Sequence, residues 1–362
     1  MSKVLILANN DVGLYKFRKE LIQKLTKEYE VYISLPHGEF VPQLIDLGCK
    51  FIDTSINRRG TNPITDIKLL LSYNKIMREV NPSVVLTYTI KPNVYGGLIC
   101  RIGGIPYIVN ITGLGSAVEN GGLLQKITLL LYKLSLKRAS CIFFQNEENR
   151  KFLSTKRIIK GGNQKLIPGS GVNLDDYPLL DYPSVKSINF LFVGRVMKEK
   201  GIDQYLEAAE YITSKYSNTV FHVVGFCEET YEEKLIEMQE SGTIRYHGMQ
   251  KSVLDFYRMS HCIVHPTYYP EGMSNVLLEG ASCGRPIITT DRAGCREIVD
   301  DGVNGYVVEQ ENSGDLIEKI KMFLELSYEK KKQMGLAGRR KVEKEFNRDI
   351  VVKEYLNQIK KV

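Results

Sequence analysis

Two carboxylates eight positions apart, Glu271 and Glu279, stand in the stretch HPTYYPEGMSNVLLEGASCGRPII (265–288). Glu271-Gly272-Met273-Ser274-Asn275 reads as a loop that opens a helix, with Ser274 at the N-cap. Gly272 would let backbone approach a ligand. The N–H groups of the first helical turn, aided by the helix dipole, would attract an anion. Glu279 falls a further turn along. Carboxylates that accept hydrogen bonds from hydroxyls at two separated points suit a polyhydroxylated ligand that also bears phosphate. The plainer alternative is a capping carboxylate plus a surface glutamate.

A second stretch, GRVMKEKGID (194–203), places Arg195 and Lys200 on a loop that begins with Gly194. Two cations facing a helix N-terminus would clamp a diphosphate from both sides. Ordinary solvated charge is the alternative reading.

Alternating segments must position these residues. Short apolar runs at 4–8, 31–35, 50–53, 83–87, 105–110 and 141–145 are strand-like, with helical spacing in 15–29, 41–47, 64–80, 92–102 and 123–138 between them. The rhythm breaks at 168–186, PGSGVNLDDYPLLDYPSVK, the best linker candidate. It resumes with strands at 188–193, 220–224, 244–247, 262–265, 286–290 and 305–308, and helices close the chain, the last at 348–360. Buried strands alternating with helices imply parallel, doubly wound sheets. The expected architecture is therefore α/β with two Rossmann-like domains, 1–170 and 171–345. They would face a cleft at the carboxyl ends of their strands, where such folds bind ligands. Residues 346–362 are expected to form a helix that packs back toward the first domain.

A chain of 362 residues is long enough for two cores, since single cores seldom exceed roughly 250–300 residues. The net charge of +7 is uneven: residues 1–180 carry 24 Lys and Arg against 14 Asp and Glu, and the remainder 25 against 28. A basic first half suits an anionic partner such as lipid headgroups, a diphosphate or nucleic acid, or is simply solvated charge. Seven scattered cysteines without Cys-x-x-Cys or Cys/His ligand spacing read as reduced core residues. No apolar run of about 18 residues and no cleavable signal pattern occur, so the expected location is the cytoplasm. The segment 121–138, GGLLQKITLLLYKLSLKR, is either a membrane-facing helix whose cations meet anionic headgroups or a buried helix with basic ends. The basic first half favours peripheral contact with the inner face of the cytoplasmic membrane.

Together, GRVMKEKGID, the Glu-x7-Glu spacing of 271 to 279 and the trailing GCREIVDDGVNGYVV (294–308) resemble the retaining glycosyltransferases of family 4, which have the GT-B fold. The likeness covers essentially the whole chain. NITGLG (110–115) with KPNVYGG (91–97) looks like the bacterial subgroup that builds O-antigen, capsule or N-glycan precursors on undecaprenyl diphosphate.

The resemblance implies that Arg195 and Lys200 bind the donor diphosphate and stabilise the leaving group, and that Glu271 holds hydroxyls of the transferred sugar. The amides of Met273, Ser274, Asn275 and Val276 would face sugar and phosphate, and Glu279 would bind the ribose. Gly194, Gly225 and His247 would border the nucleotide, although His247 reads equally as a loop histidine satisfied by backbone. Gly13 would belong to a glycine loop near donor and acceptor. Arg18, Lys91, Asn93 and Thr112 are the acceptor-side candidates; Ile90 and Thr112 stand where many relatives carry histidine, and a surface cation is the default reading of Arg18. The family needs no metal, and the chain has no Asp-x-Asp. The implied partners are a nucleotide sugar, UDP-HexNAc or UDP-hexose, and a lipid-linked glycan, with no nucleic acid. A UDP-sugar 2-epimerase and a non-catalytic nucleotide-sugar-binding protein are the alternatives. A Rossmann dehydrogenase is disfavoured, because the first strand leads into NNDVGLY without Gly-x-Gly-x-x-Gly.

Overall fold

Unbroken apolar runs make the strands. The first, β1 (Lys3–Leu7), is buried at four of its five positions, as a parallel strand covered on both faces should be. The computed structural model describes residues 1–57, 60, 62–115, 118, 121–159, 161–184, 186–227 and 230–362. It divides into two compact units: Met1–Ser170 with Pro270–Met273 and Arg348–Val362, and Gly171–Tyr269 with Ser274–Asn347.

Among the described residues, unit 1 holds a seven-stranded sheet whose paired strands run parallel. Its members are β1, β2 (Glu30–Leu35), β3 (Lys50–Asp53), β4 (Val84–Tyr88), β5 (Tyr107–Ile111), β6 (Cys141–Phe144) and β7 (Gln164–Leu166), in the order β3-β2-β1-β4-β5-β6-β7. The helices are α1 (Asp11–Glu28), α2 (Val41–Asp46), α3 (Pro63–Val80), α4 (Gly97–Gly103), α5 (Gly122–Leu136) and α6 (Glu147–Thr155). One face of the sheet packs against α1 and α2 through Leu21, Ile22 and Leu44. The other packs against α3, α4 and α5 through Tyr73, Ile99 and Tyr132.

Unit 2 repeats the plan with β8 (Ile188–Val193), β9 (Thr219–Val224), β10 (Ile244–Tyr246), β11 (Cys262–His265), β12 (Ile287–Thr290) and β13 (Gly305–Val308), in the order β10-β9-β8-β11-β12-β13. Its helices are α7 (Ile202–Lys215), α8 (Glu232–Glu240), α9 (Leu254–Met259), α10 (Asn275–Ser282), α11 (Ser313–Glu325) and α12 (Tyr328–Glu345). The final helix, α13 (Arg348–Ile359), belongs to unit 1 and joins the α1 face with Val351, Val352, Tyr355 and Ile359 buried. Arg348 at its start donates to the Lys16 carbonyl and to both Glu20 carboxylate oxygens at 3.0 Å.

The doubly wound architecture expected from the sequence is present, and the strand order reverses between β1 and β4 in unit 1 and between β8 and β11 in unit 2. Some local expectations fail. The helix expected at 92–102 starts as a π-helical turn, Pro92–Gly96. Asn93, inside that turn, accepts from Thr87 Oγ1 and donates to the Asn110 carbonyl, both at 2.8 Å, which fixes the backbone there. β7 is short and carries no apolar run, so periodicity could not reveal it. Of the linker candidate, Val185 lies outside the described residues, and the part from Gly171 is packed on unit 2. Tyr182 Oη donates to the His261 carbonyl at 2.8 Å, and the buried Arg285 donates to the Asp181 carbonyl at 2.7 Å.

Candidate active site

In unit 2 the reversal of strand order places two loops side by side at the carboxyl edge, the position where open α/β sheets bind ligands. The first follows β8. Gly194 turns out of the strand with φ 155°, and a Cβ on its neighbour Gly225 would lie 1.7 Å from the Gly194 carbonyl oxygen. The loop after β9 therefore packs directly on it. Lys198–Lys200 form a 3₁₀ turn, and Gly201, at φ 75°, starts α7. A Cβ at Gly201 would meet the Pro266 carbonyl oxygen at 2.0 Å, so glycine is required by the second loop, which follows β11.

That second loop is tied to the first. The Glu199 carbonyl accepts from the Tyr268 amide at 2.9 Å and from Thr267 Oγ1 at 3.2 Å, and Thr267 Oγ1 in turn accepts from the Tyr269 amide at 3.2 Å. The result is one aromatic ring shared by two cations: Arg195 Cζ and Lys200 Nζ each lie 5.0 Å from the centroid of Tyr269. Sequence reasoning missed Tyr269. Its position two residues before Glu271 was visible, but a tyrosine in a loop carries no signal until the loop is folded.

Lys200 is 8% exposed. Burial lowers its pKa to about 8; the Cys295 thiol beside it works in the opposite direction, and the Arg195 guanidinium adds to the lowering. Beneath the loop His265 is buried, with neither ring nitrogen hydrogen-bonded. Burial first, and then the Lys200 charge, hold it well below the usual histidine range. It is a neutral wall for the cation pair.

Glu279 lies on α10, four residues past Asn275, and accepts from Tyr257 Oη at 3.0 Å. Tyr257 and Tyr177 meet edge to face at 6.2 Å. Burial, and then the Glu279 carboxylate, push both phenols up, so they remain donors. Glu279 is half-buried, a carboxylate with one side fixed by tyrosine. Ser274 precedes α10 as expected, but its hydroxyl caps no amide of the first turn; its own N–H donates to the Gly294 carbonyl at 2.8 Å. Asn275 and Val276 are half-buried in that first turn.

His247 is half-buried. Its Nε2 lies 3.0 Å from His222 Nδ1, the two rings stack at 5.3 Å, and Phe256 covers an edge at 4.9 Å. Burial lowers both pKa values, that of His222 to about 4. Gly225 donates to the Gly248 carbonyl at 2.9 Å, which joins the loops after β9 and β10.

Glu271, Gly272 and Met273 were expected in the second domain, and the structure groups Pro270–Met273 with unit 1. Asn146 Nδ2 donates to the Glu271 carbonyl at 3.1 Å and to the Gly272 carbonyl at 2.7 Å. A Cβ on Gly272 would lie 2.3 Å from Gln145 Oε1 and 2.4 Å from the Thr112 carbonyl oxygen. The glycine is therefore explained by close packing against the loops after β5 and β6.

The remaining candidates also lie in unit 1. Gly13 is in the first turn of α1, not in a glycine loop, and its amide donates to the N-cap Asn10 at 2.6 Å. Arg18 is buried rather than on the surface. Its guanidinium lies 5.0 Å from the Tyr88 ring and 5.7 Å from that of Tyr355 on α13, which makes it a packing cation. Lys91 pairs with Asp66 at 2.5 Å. Asn93 is committed to the buried bonds described above, and Thr112 is half-buried after β5.

Residues 3–146 match the family model described as "Glycosyl transferase 4-like", and residues 183–341 that described as "Glycosyl transferases group 1". The chain is 27% identical to the N,N'-diacetylbacillosaminyl-diphospho-undecaprenol alpha-1,3-N-acetylgalactosaminyltransferase of Campylobacter jejuni, over 97% of this chain and 96% of that one. It is 25% identical to the UDP-Gal:alpha-D-GlcNAc-diphosphoundecaprenol alpha-1,3-galactosyltransferase of Escherichia coli, over 80% and 82%. A crystal structure of a glycosyltransferase from Rickettsia africae matches with a TM-score of 0.82 at 18% identity, covering 99% of this chain and 98% of the other. With both halves matched to glycosyltransferase families and two doubly wound sheets in the fold, the chain belongs to glycosyltransferase family 4 and has the GT-B architecture.

Proposed function

We propose that the protein moves a HexNAc or hexose from a UDP-sugar, with retention at the anomeric carbon, to a glycan carried on undecaprenyl diphosphate. This would be a step of bacterial surface polysaccharide synthesis at the inner face of the cytoplasmic membrane. The observation that carries the reading is the pair Arg195 and Lys200, held on one tyrosine at the switch point of unit 2. Two fixed cations beside a helix N-terminus supply the positive field that a departing diphosphate needs, without reorganisation at the moment of reaction. Glu279, half-exposed beside its tyrosines, suits a pair of ribose hydroxyls. From the family's sequence pattern, Glu271 takes hydroxyls of the transferred sugar.

On this reading the bond from the anomeric carbon to the diphosphate oxygen breaks while the acceptor oxygen bonds to the same face. The acceptor proton passes to the leaving phosphate oxygen, so no protein nucleophile is used. The acceptor class is supported by the names of the two relatives, both of which act on diphospho-undecaprenol-linked sugars with alpha-1,3 transfer.

The test incubates the protein with radiolabelled UDP-sugars, with and without a bacterial lipid extract, and with EDTA in parallel. Label entering the organic phase despite EDTA is the expected result. Epimerised free UDP-sugar without transfer overturns the reading. Arg195→Ala and Lys200→Ala should each lower turnover by about 10²–10³-fold with the fold intact, and near-normal rates in both would remove the diphosphate assignment.

A further inference from the structure

Tyr177 stands in the stretch between β7 and β8, outside the strand–helix alternation of either unit. A turn built on Asn173 leads into it. Asn173 Oδ1 accepts from the Asp175 amide at 2.9 Å and from the Asp176 amide at 3.2 Å, and the Asn173 carbonyl accepts from the Tyr177 amide at 3.1 Å. The Tyr177 carbonyl is then bound from two helices. Ser282 Oγ, at the end of α10, donates to it at 2.5 Å, and Arg339 Nη1, on α12, donates at 3.1 Å. Ser282 lies three residues past Glu279, so a single helix carries both the carboxylate and an anchor for this tyrosine.

Tyr257, on α9, is held in a similar way. Its carbonyl accepts from Arg285 Nε at 2.8 Å, and Arg285, fully buried just past the end of α10, also binds the Asp181 carbonyl. With both backbones fixed, the two rings meet edge to face and their phenols face one carboxylate. Tyr257 Oη donates to Glu279 Oε2 at 3.0 Å, with the Val276 carbonyl a more distant contact at 3.4 Å. After burial, the Glu279 charge is the largest influence on the Tyr177 phenol. Tyr257 is fully buried, whereas Tyr177 and Glu279 are half-buried. The carboxylate thus has a tyrosine wall behind it and an opening in front, and neutral phenols can only donate to it.

We propose that Tyr257 and Tyr177 are positioning residues of the donor site, which hold Glu279 in the one rotamer that accepts from a ribose diol and so set the preference for a ribonucleotide donor. The proposal rests on the reading of Glu279 as the ribose-binding carboxylate and deepens it by naming what holds that side chain. An unheld glutamate would lose its rotamer freedom when the nucleotide binds; here the hydrogen bond from Tyr257 has removed much of it beforehand. An ionised carboxylate has about four lone-pair sites. Two phenols take at most two of them, which leaves capacity for a pair of vicinal hydroxyls. Tyrosines that merely packed would act on every nucleotide alike, with or without those hydroxyls.

The experiment is isothermal titration of the purified full chain with UDP and with 2′,3′-dideoxy-UDP, which lacks the diol. The parent is expected to prefer UDP. Tyr257→Phe should weaken UDP binding about tenfold and Tyr177→Phe about threefold, while the affinity for dideoxy-UDP and the circular dichroism spectrum match the parent in both. In a Glu279→Ala background, Tyr257→Phe should have no further effect on UDP. Equal weakening of the two nucleotides by the phenylalanine variants overturns the proposal in favour of packing, as does a full loss that persists without Glu279. If Glu279→Ala abolishes the preference for UDP but both phenylalanine variants keep it, the positioning role is refuted and the ribose reading stands. A parent without that preference, or one whose preference survives Glu279→Ala, refutes the ribose reading and the positioning role with it.

Discussion

Burial of Lys200 sets the pH range over which its charge is available. With a pKa lowered to about 8, kcat/KM for the donor is expected to fall as pH rises through that value. Lys200→Arg should move the fall upward, because guanidinium stays charged. A profile in the parent enzyme that stays flat to about pH 10 would separate Lys200 from the diphosphate. The folded pKa lies below that of unfolded lysine, roughly 10.4, so stability is reduced below about 8 and recovers as pH rises between the two values. Lys200→Met should therefore lose transfer yet raise the unfolding free energy near pH 7, on the order of 1–3 kcal/mol, as read by a denaturant melt. Tyr269 gives a complementary test. Tyr269→Phe keeps the π face and should keep the rate, while Tyr269→Leu should lower kcat/KM roughly tenfold. Equal rates in both variants would show that the ring does not hold the cations.

At the scale of elements, the two loops after β8 and β11 act as one unit because glycine allows them to touch. Gly201→Ala combines a left-handed backbone, φ 75°, with a Cβ placed 2.0 Å from the Pro266 carbonyl. It should destabilise unit 2 by about 2–4 kcal/mol and reduce transfer by shifting the turn that carries Lys200. Gly104→Ala supplies the control: φ is 68° but nothing lies within 4 Å of the added Cβ, so about 1 kcal/mol is expected from the backbone alone. Chemical denaturation of the two variants side by side checks the difference. Equal losses would mean that loop contact adds nothing beyond the φ requirement.

Across the whole molecule, the last helix completes the core of the first unit. Removing residues 348–362 uncovers the cluster that holds Leu21, Ile22 and Val31 and leaves Arg18 without the Tyr355 ring. Each large apolar side chain withdrawn from that cluster contributes about 1.5–3 kcal/mol, so the four lost with α13 approach the full stability of a typical domain. A chain ending at Asn347 is expected to lose amide-exchange protection in β1 and β4 while β8 and β11 keep theirs. Undiminished protection in β1 would show that unit 1 folds without its terminal helix.

The sequence by itself determined the architecture and the addresses of the main loops. Parallel strands covered on both faces must be continuous apolar runs, and the strand–loop–helix alternation puts Arg195, Lys200, Glu279 and Ser274 at carboxyl edges. Only the tertiary structure decided what long-range packing controls. Pro270–Met273 joined unit 1 through bonds from Asn146, a residue 125 positions away. Arg18 moved from an expected surface to a buried site because Tyr88 and Tyr355 close over it, and Tyr269 acquired its two cations only when the Glu199 carbonyl tied the loops together. Helical periodicity showed that α3 and α5 had apolar faces. It could not show that each has one face in the core and another in the open, because a repeat of 3.6 residues gives angles around a helix and says nothing of what lies beyond them.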